Sequence, residues 1–141
     1  MATSCLQAHF DALADALGVD VILVADRSYP NDCWGLAIQH PVHADKRAII
    51  LNRRPTKPLP YMVALHELGH CVRGEGWSAD RFLDREVAAW EWALEHAKLP
   101  ARIAAAHALG YMEASAREKG VQRTKTYDQL RRRLKRLAAG R

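Results

Sequence analysis

Residues 60–73 read PYMVALHELGHCVR, and the organisation of the whole chain follows from this stretch. Pro60 suits the first turn of a helix, where its fixed φ is already helical and its missing N–H costs no hydrogen bond. On a wheel of about 100° per residue with His66 at zero, His70 falls at about 40°, Glu67 at about 100° and Arg73 at about −20°. These four share one arc of about 120°. Tyr61 aside, the remainder is Met62, Val63, Ala64, Leu65, Leu68, Gly69, Cys71 and Val72. A helix so apolar outside one arc is mostly buried. A solvated arc would carry Lys, Gln and Ser; this one carries His-Glu-His, and so reads as a polar stripe in a cleft.

Downstream, Gly74-Glu75-Gly76 stops this helix, and Ser78 is placed to cap the next, which is predicted to run to about Lys98. Its acids include Asp80, Glu86, Glu91 and Glu95. Phe82, Leu83, Trp90, Ala93 and Ala97 all lie within about 60° of Glu86. Asp80 and Glu91 lie more than about 100° off that apolar stripe, and Glu95 lies opposite. Glu86 is therefore a carboxylate in a buried face, and it needs a partner. Pro100 opens a third helix through about Lys119, and Gly120 ends it. A last amphipathic helix is predicted over about Thr124 to Ala138, with Tyr127, Leu130, Leu134 and Leu137 on one side.

Upstream, Leu6, Phe10, Leu13 and Leu17 have helical spacing, closed by Gly18. Val19 to Ala25, Cys33 to Gln39 and Ala48 to Leu51 read as strands, separated by a turn at Ser28–Asp32 and a loop at His40–Asp45. Short connections predict an antiparallel sheet of about three strands. Helix, strands and then helices define an α+β domain: a small antiparallel sheet packed with the His-Glu-His helix and further C-terminal helices. We divide the chain into a domain over residues 1–120 and a basic amphipathic C-terminal helix over residues 121–141.

The 141 residues carry a net charge of +5. Residues 117–141 hold +8 of it, leaving −3 on the rest. The basic balance thus belongs to the C-terminal helix. Its Arg131, Arg132, Arg133, Lys135 and Arg136 are candidate nucleic-acid contacts, to be weighed against a simple solvated face. The N-terminus lacks a basic region, and Asp11 and Asp15 interrupt its apolar residues, unlike a secretory signal. No segment approaches the roughly 18 apolar residues of a membrane span. Cys5, Cys33 and Cys71 share no close spacing, which argues against a disulfide framework. A cytoplasmic location without membrane contact is expected. His40 and His43 read as an ordinary surface loop, Cys71 as pointing into the core, and the four tryptophans as core and cleft walls.

His66-Glu67-Leu68-Gly69-His70 matches H-E-x-x-H. Two histidines at i and i+4 lie on one helix face and can reach one ion, and zinc favours neutral imidazole nitrogen. Glu67 sits beside that ion, placed to take a proton from a water. A catalytic zinc takes three protein ligands and leaves one position open. Glu86 is the candidate third ligand; the other reading of Glu86 is an ion pair with Arg73. Arg73 stands where the metzincin motif needs Gly, which excludes that class.

The combination resembles the Glu-type zinc metallopeptidases, or gluzincins, in which H-E-x-x-H is followed by a Glu on the next helix. More narrowly it resembles the ImmA/IrrE family of small bacterial and phage or prophage metallopeptidases, over about residues 47–100. The resemblance rests on Ile49-Ile50-Leu51-Asn52, the Pro-bearing linker, His66 to His70, Glu86-Val87-Ala88-Ala89-Trp90-Glu91-Trp92-Ala93 and the break at Leu99-Pro100. Trp90 and Trp92 stand where Phe is usual. The resemblance implies a hydrolase with one Zn2+ per chain, held by His66, His70 and Glu86, with Glu67 as catalytic base. It implies a protein or peptide substrate, a cytosolic regulator such as a repressor. Arg73, His96 and Tyr111 are candidate transition-state stabilisers, and a substrate strand could add at a sheet edge, with Ala48–Leu51 as the candidate. The competing expectation is a non-proteolytic zinc-containing binding protein whose basic helix contacts DNA or a regulatory partner.

Overall fold

The computed structural model describes residues 5–24, 33–43, 45–73, 82–119 and 124–141. Helix α1 (Cys5–Ala16) is followed by strands β1 (Asp20–Leu23), β2 (Gly35–Gln39) and β3 (Arg47–Leu51). Four helices follow: α2 (Pro58–Arg73), α3 (Phe82–His96), α4 (Ala101–Lys119) and α5 (Lys125–Ala138). The α+β class expected from the sequence is the observed one. The expected turns at Ser28–Asp32 and Gly74–Gly76, the Ser78 cap, Asp80, Trp77 and the Gly120 stop lie outside the described residues. Among the described residues, no helix is long and apolar enough to cross a membrane.

The sheet is mixed, with strand order β1-β3-β2, and this corrects the antiparallel expectation. β2 pairs antiparallel with β3, but β1 pairs parallel with it, Val21 opposite Ile49 and Leu23 opposite Leu51. The reason is connection length. Residues 40–46 make a short return from β2 to β3. Residues 24–34 are long enough to carry the chain past a vacant strand position, about 10 Å across the sheet. β3 then enters that position, the best buried of the three, with Ala48, Ile49 and Leu51 at 2% exposure or less. With both sides paired, β3 has no free edge for an incoming strand; the edges belong to β1 and β2.

His40 closes this end of the sheet. Its Nδ1 accepts hydrogen bonds from the N–H groups of Val42 and His43, so Nε2 carries the proton and donates to Asp20 Oδ2 at 2.8 Å. The His40/His43 pair is thus a turn device linking β2 to β1, in keeping with the plain-loop reading. At α1, Gly18 takes φ +67°, the left-handed conformation a helix C-terminus asks for.

α2 is the axis of the core: every residue from Tyr61 to Gly69 is buried. Phe10 and Ala14 of α1, Ile49 and Leu51 of β3, Trp90 and Ala93 of α3 and Ala104, Ala105 and Ala108 of α4 join the same cluster. α5 belongs to it as well. Thr124 Oγ1 caps α5 by accepting from the Tyr127 N–H, and Tyr127, Leu130 and Leu134 are buried. Arg131 pairs with Glu113 of α4 at 3.3 Å.

The first turn of α2 carries a closed polar network. The Tyr61 hydroxyl donates to His9 Nδ1 at 2.6 Å and accepts from the Lys98 N–H at 2.8 Å. Burial, reinforced by Lys98 and His96, pushes the His9 pKa below its ordinary 6.5. The unfolded chain therefore binds the proton more readily than the folded one. The contribution of His9 to stability is full above pH 6.5 and is lost as the pH falls. Because His66 titrates in the opposite sense, the difference isolates His9: relative to wild type, the melting temperature of His9→Gln is expected to rise as the pH falls from 7.5 to 5.5, as followed by circular dichroism.

Candidate metal centre

His66 and His70 follow one another by a helical turn on α2, and their rings lie 4.6 Å apart, centre to centre, near perpendicular at 68°. Both point Nε2 at the same carboxylate on α3. His66 Nε2 is 2.9 Å from Glu86 Oε2, and His70 Nε2 donates to Glu86 Oε1 at 2.9 Å. Glu67 lies on the other side of His66, with Oε1 3.2 Å from Nδ1. One donor atom each from His66, Glu67 and His70 fall within 4.8 Å of one another, a group able to hold a metal ion.

Two backbone approaches create this geometry. A Cβ on Gly69 would lie 2.6 Å from the Ala89 carbonyl oxygen and 2.9 Å from its Cα. α2 and α3 therefore touch backbone to backbone here, and Glu86, almost one turn before Ala89, is carried within reach of both imidazoles. On β2, a Cβ on Gly35 would lie 2.7 Å from Glu67 Cγ and 3.0 Å from Leu51 Cδ2. The missing side chain at Gly35 is the slot that receives Glu67. Trp90 stacks on His66 at 4.2 Å and 12°, fixing the plane of the ring, and Tyr111 stands edge-on to Trp90 at 5.8 Å.

The electrostatics are those of a compressed charge cluster. Burial opposes a charge on His66, but Glu86 and then Glu67 outweigh it and raise its pKa to about 10. Burial would raise Glu86, yet His66 and then His70 hold it well below the usual carboxylate range. Without a metal, the site keeps a proton on His66. That ion pair stabilises the fold fully between pH 4.5 and 6.5, and its contribution fades as the pH rises through about 10.

A zinc ion suits the donors present. Neither nitrogen of buried His66 makes a well-directed hydrogen bond among the described residues, despite the nearby carboxylates. Such an orphaned pair of nitrogens is costly, and a ligand would satisfy it. Two imidazoles and one carboxylate form a catalytic-type zinc donor set with one position to spare. Glu86 faces both Nε2 atoms, whereas Glu67 faces Nδ1 of His66.

The other sequence-derived candidates sort by location. Tyr111 lies beside the site, its ring 6.3 Å from that of His66. His96 does not: its Nδ1–H donates to the Trp92 carbonyl, its ring stacks on Trp92 at 4.1 Å, and its charge acts on His9. The Arg73 side chain, and with it the Glu86–Arg73 pair, lies outside the described residues. Cys71 packs against the core, and burial pushes its thiol up to about 11. Sequence reasoning did not single out Gly35 or Gly69. A glycine inside a buried helix is the only signal Gly69 gives, since a helix interior without a close neighbour favours Ala.

No family model, curated protein or solved structure matches the chain. The reading of the site therefore rests on its own residues and their geometry.

Two glycine substitutions separate close approach from propensity. Gly69→Ala is expected to force α2 and α3 apart and to destabilise by about 1–3 kcal/mol. Gly110→Ala on α4, where a Cβ meets nothing within 4 Å, is expected to stabilise by roughly 0.5–1 kcal/mol. Urea denaturation of the two variants measures both. Zinc competition against a chromogenic chelator should show weakened binding in the first alone.

Proposed function

We propose that this protein is a zinc-dependent metalloendopeptidase of the Glu-type class, similar to the ImmA/IrrE family. The observation that carries the reading is the convergence of His66 Nε2 and His70 Nε2 on the two oxygens of Glu86, with Glu67 alongside. A structural zinc site usually closes with four protein ligands and has no use for an adjacent general base. This favours catalysis over the non-proteolytic binding reading.

His66, His70 and Glu86 would hold the ion. When bound, zinc supplies Lewis acidity, polarising a carbonyl and lowering the pKa of a coordinated water. Glu67 accepts the proton of the attacking water and passes it to the leaving amine nitrogen. Its position in the Gly35 slot limits its swing and keeps it beside the ligands. Trp90 holds the His66 imidazole in one orientation, with Nε2 toward Glu86, where it would be available to the ion, and Nδ1 toward Glu67. Tyr111, whose ring lies 6.3 Å from that of His66 on the flank of the site, is our candidate for donating a hydrogen bond to the oxyanion. The substrate on this reading is a cytosolic regulatory protein such as a repressor, and the enzyme works in the cytoplasm of a bacterial or phage-carrying cell.

Purified wild type should carry about one zinc per chain by elemental analysis, and His66→Ala and Glu86→Ala should lose most of it. Glu67→Gln should keep its zinc and lose about 100-fold or more of its activity on a quenched fluorescent peptide library. A wild type that cannot be loaded with zinc would sink the metal reading. Full activity in zinc-loaded Glu67→Gln would remove Glu67 from the mechanism.

A further inference from the structure

α5 presents a second chemistry, separate from the metal centre. With Leu134 as the zero of its wheel, buried Tyr127 and Leu130 lie within about 40° of it. Lys135, Arg132, Lys125, Arg136 and Arg133 follow around the opposite side, from about 100° to about 260°. All five are exposed. Asp128 is the one acid of this arc, at about 120°. Arg131 is not part of it, because it is turned to Glu113 on α4. The five cations extend over about 16 Å of helix.

A surface that serves solubility alone mixes both signs. A row of one sign along a helix is the footprint of a polyanion. The candidates differ in what else they require. Insertion into a membrane surface needs apolar side chains beside the cations, and those of α5 are spent in the core. A protein partner wants aromatic or aliphatic anchors and tends to exclude Lys from the interface centre. Single-stranded nucleic acid wants aromatic platforms for stacked bases. The exposed arc of α5 offers none of these. What it offers is a rigid line of guanidinium and ammonium groups, three of them the Arg that pairs with phosphate oxygens in bidentate fashion.

We propose that α5 docks on the phosphate backbone of double-stranded DNA through Lys125, Arg132, Arg133, Lys135 and Arg136, without reading base sequence. Phosphate contacts of this kind position a protein on the duplex and do not select a sequence. The inference stands on α5 alone and does not depend on zinc or peptidase activity.

Fluorescence anisotropy with a labelled duplex of about 20 base pairs tests it, on the full chain, from about 50 to 200 mM KCl. Wild type is expected to bind, with log K falling against log salt at a slope of about −3 to −5, the value for four or five neutralised phosphates. The variant R132Q/R133Q/K135Q/R136Q should bind at least about tenfold more weakly, with a slope shallower by about three. Its melting temperature should be unchanged, because all four side chains are exposed. The milder R132Q/R136Q should lose an intermediate share. Absence of binding by wild type at the lowest salt would overturn the proposal. So would equal affinity in the variants, or tighter binding to single-stranded DNA, duplex RNA or anionic vesicles.

Discussion

The backbone contact between α2 and α3 at Gly69 and Ala89 is the constraint on which the candidate site depends. Helices that meet through side chains stand 8–10 Å apart, with residues between them. Here a missing Cβ lets the backbones touch, and the three residues from Ala89 back to Glu86 bring a carboxylate down onto the imidazoles of the facing helix. The β2 side has the matching device, where Gly35 opens the space that Glu67 occupies. Two glycines thus shape the walls of a polar recess inside a helix that is otherwise buried in apolar neighbours.

α2 carries two buried polar clusters, and their contrast bears on function. At its first turn, Tyr61 is satisfied on both sides, as donor to His9 and acceptor from Lys98, and nothing is left over. At its centre, His66 is fully buried between two carboxylates that do not meet its nitrogens in line. The first cluster is complete as it stands and ties α1 to the end of α3. The second is balanced only by holding a proton between opposed charges. On the proposed reading a divalent cation takes the place of that proton, so metal binding would be coupled to proton release.

Much of this was legible in the residues. The 3.6-residue period located the five helices of the described residues, and the wheel positions of residues 61–73 and 82–97 put His66, Glu67, His70 and Glu86 on faces that lie against one another. What they could not give was distance. Whether Glu86 reaches the histidines or an arginine depends on how closely α2 and α3 approach. His96 and Tyr111 stood as equal candidates in the sequence, yet packing sends one to Trp92 and the His9 network and the other to Trp90 and His66. Arg131 looked like its basic neighbours until α4 supplied Glu113.

Local sequence determined the element types, the α+β class, the polar stripe of α2, the carboxylate on the apolar face of α3 and the concentration of positive charge on α5. These are properties of periodicity and composition, and each can be read within a window of a few turns. Tertiary structure alone decided the β1-β3-β2 order, the parallel pairing of β1 and the burial of β3 between two partners. It also decided the meeting of Glu86 with both imidazoles. The physical reason is the same in each case. Strand pairing and helix approach are choices between distant segments, settled by which arrangement buries the most apolar surface while leaving the fewest polar groups unmet, and no short stretch of chain contains that comparison.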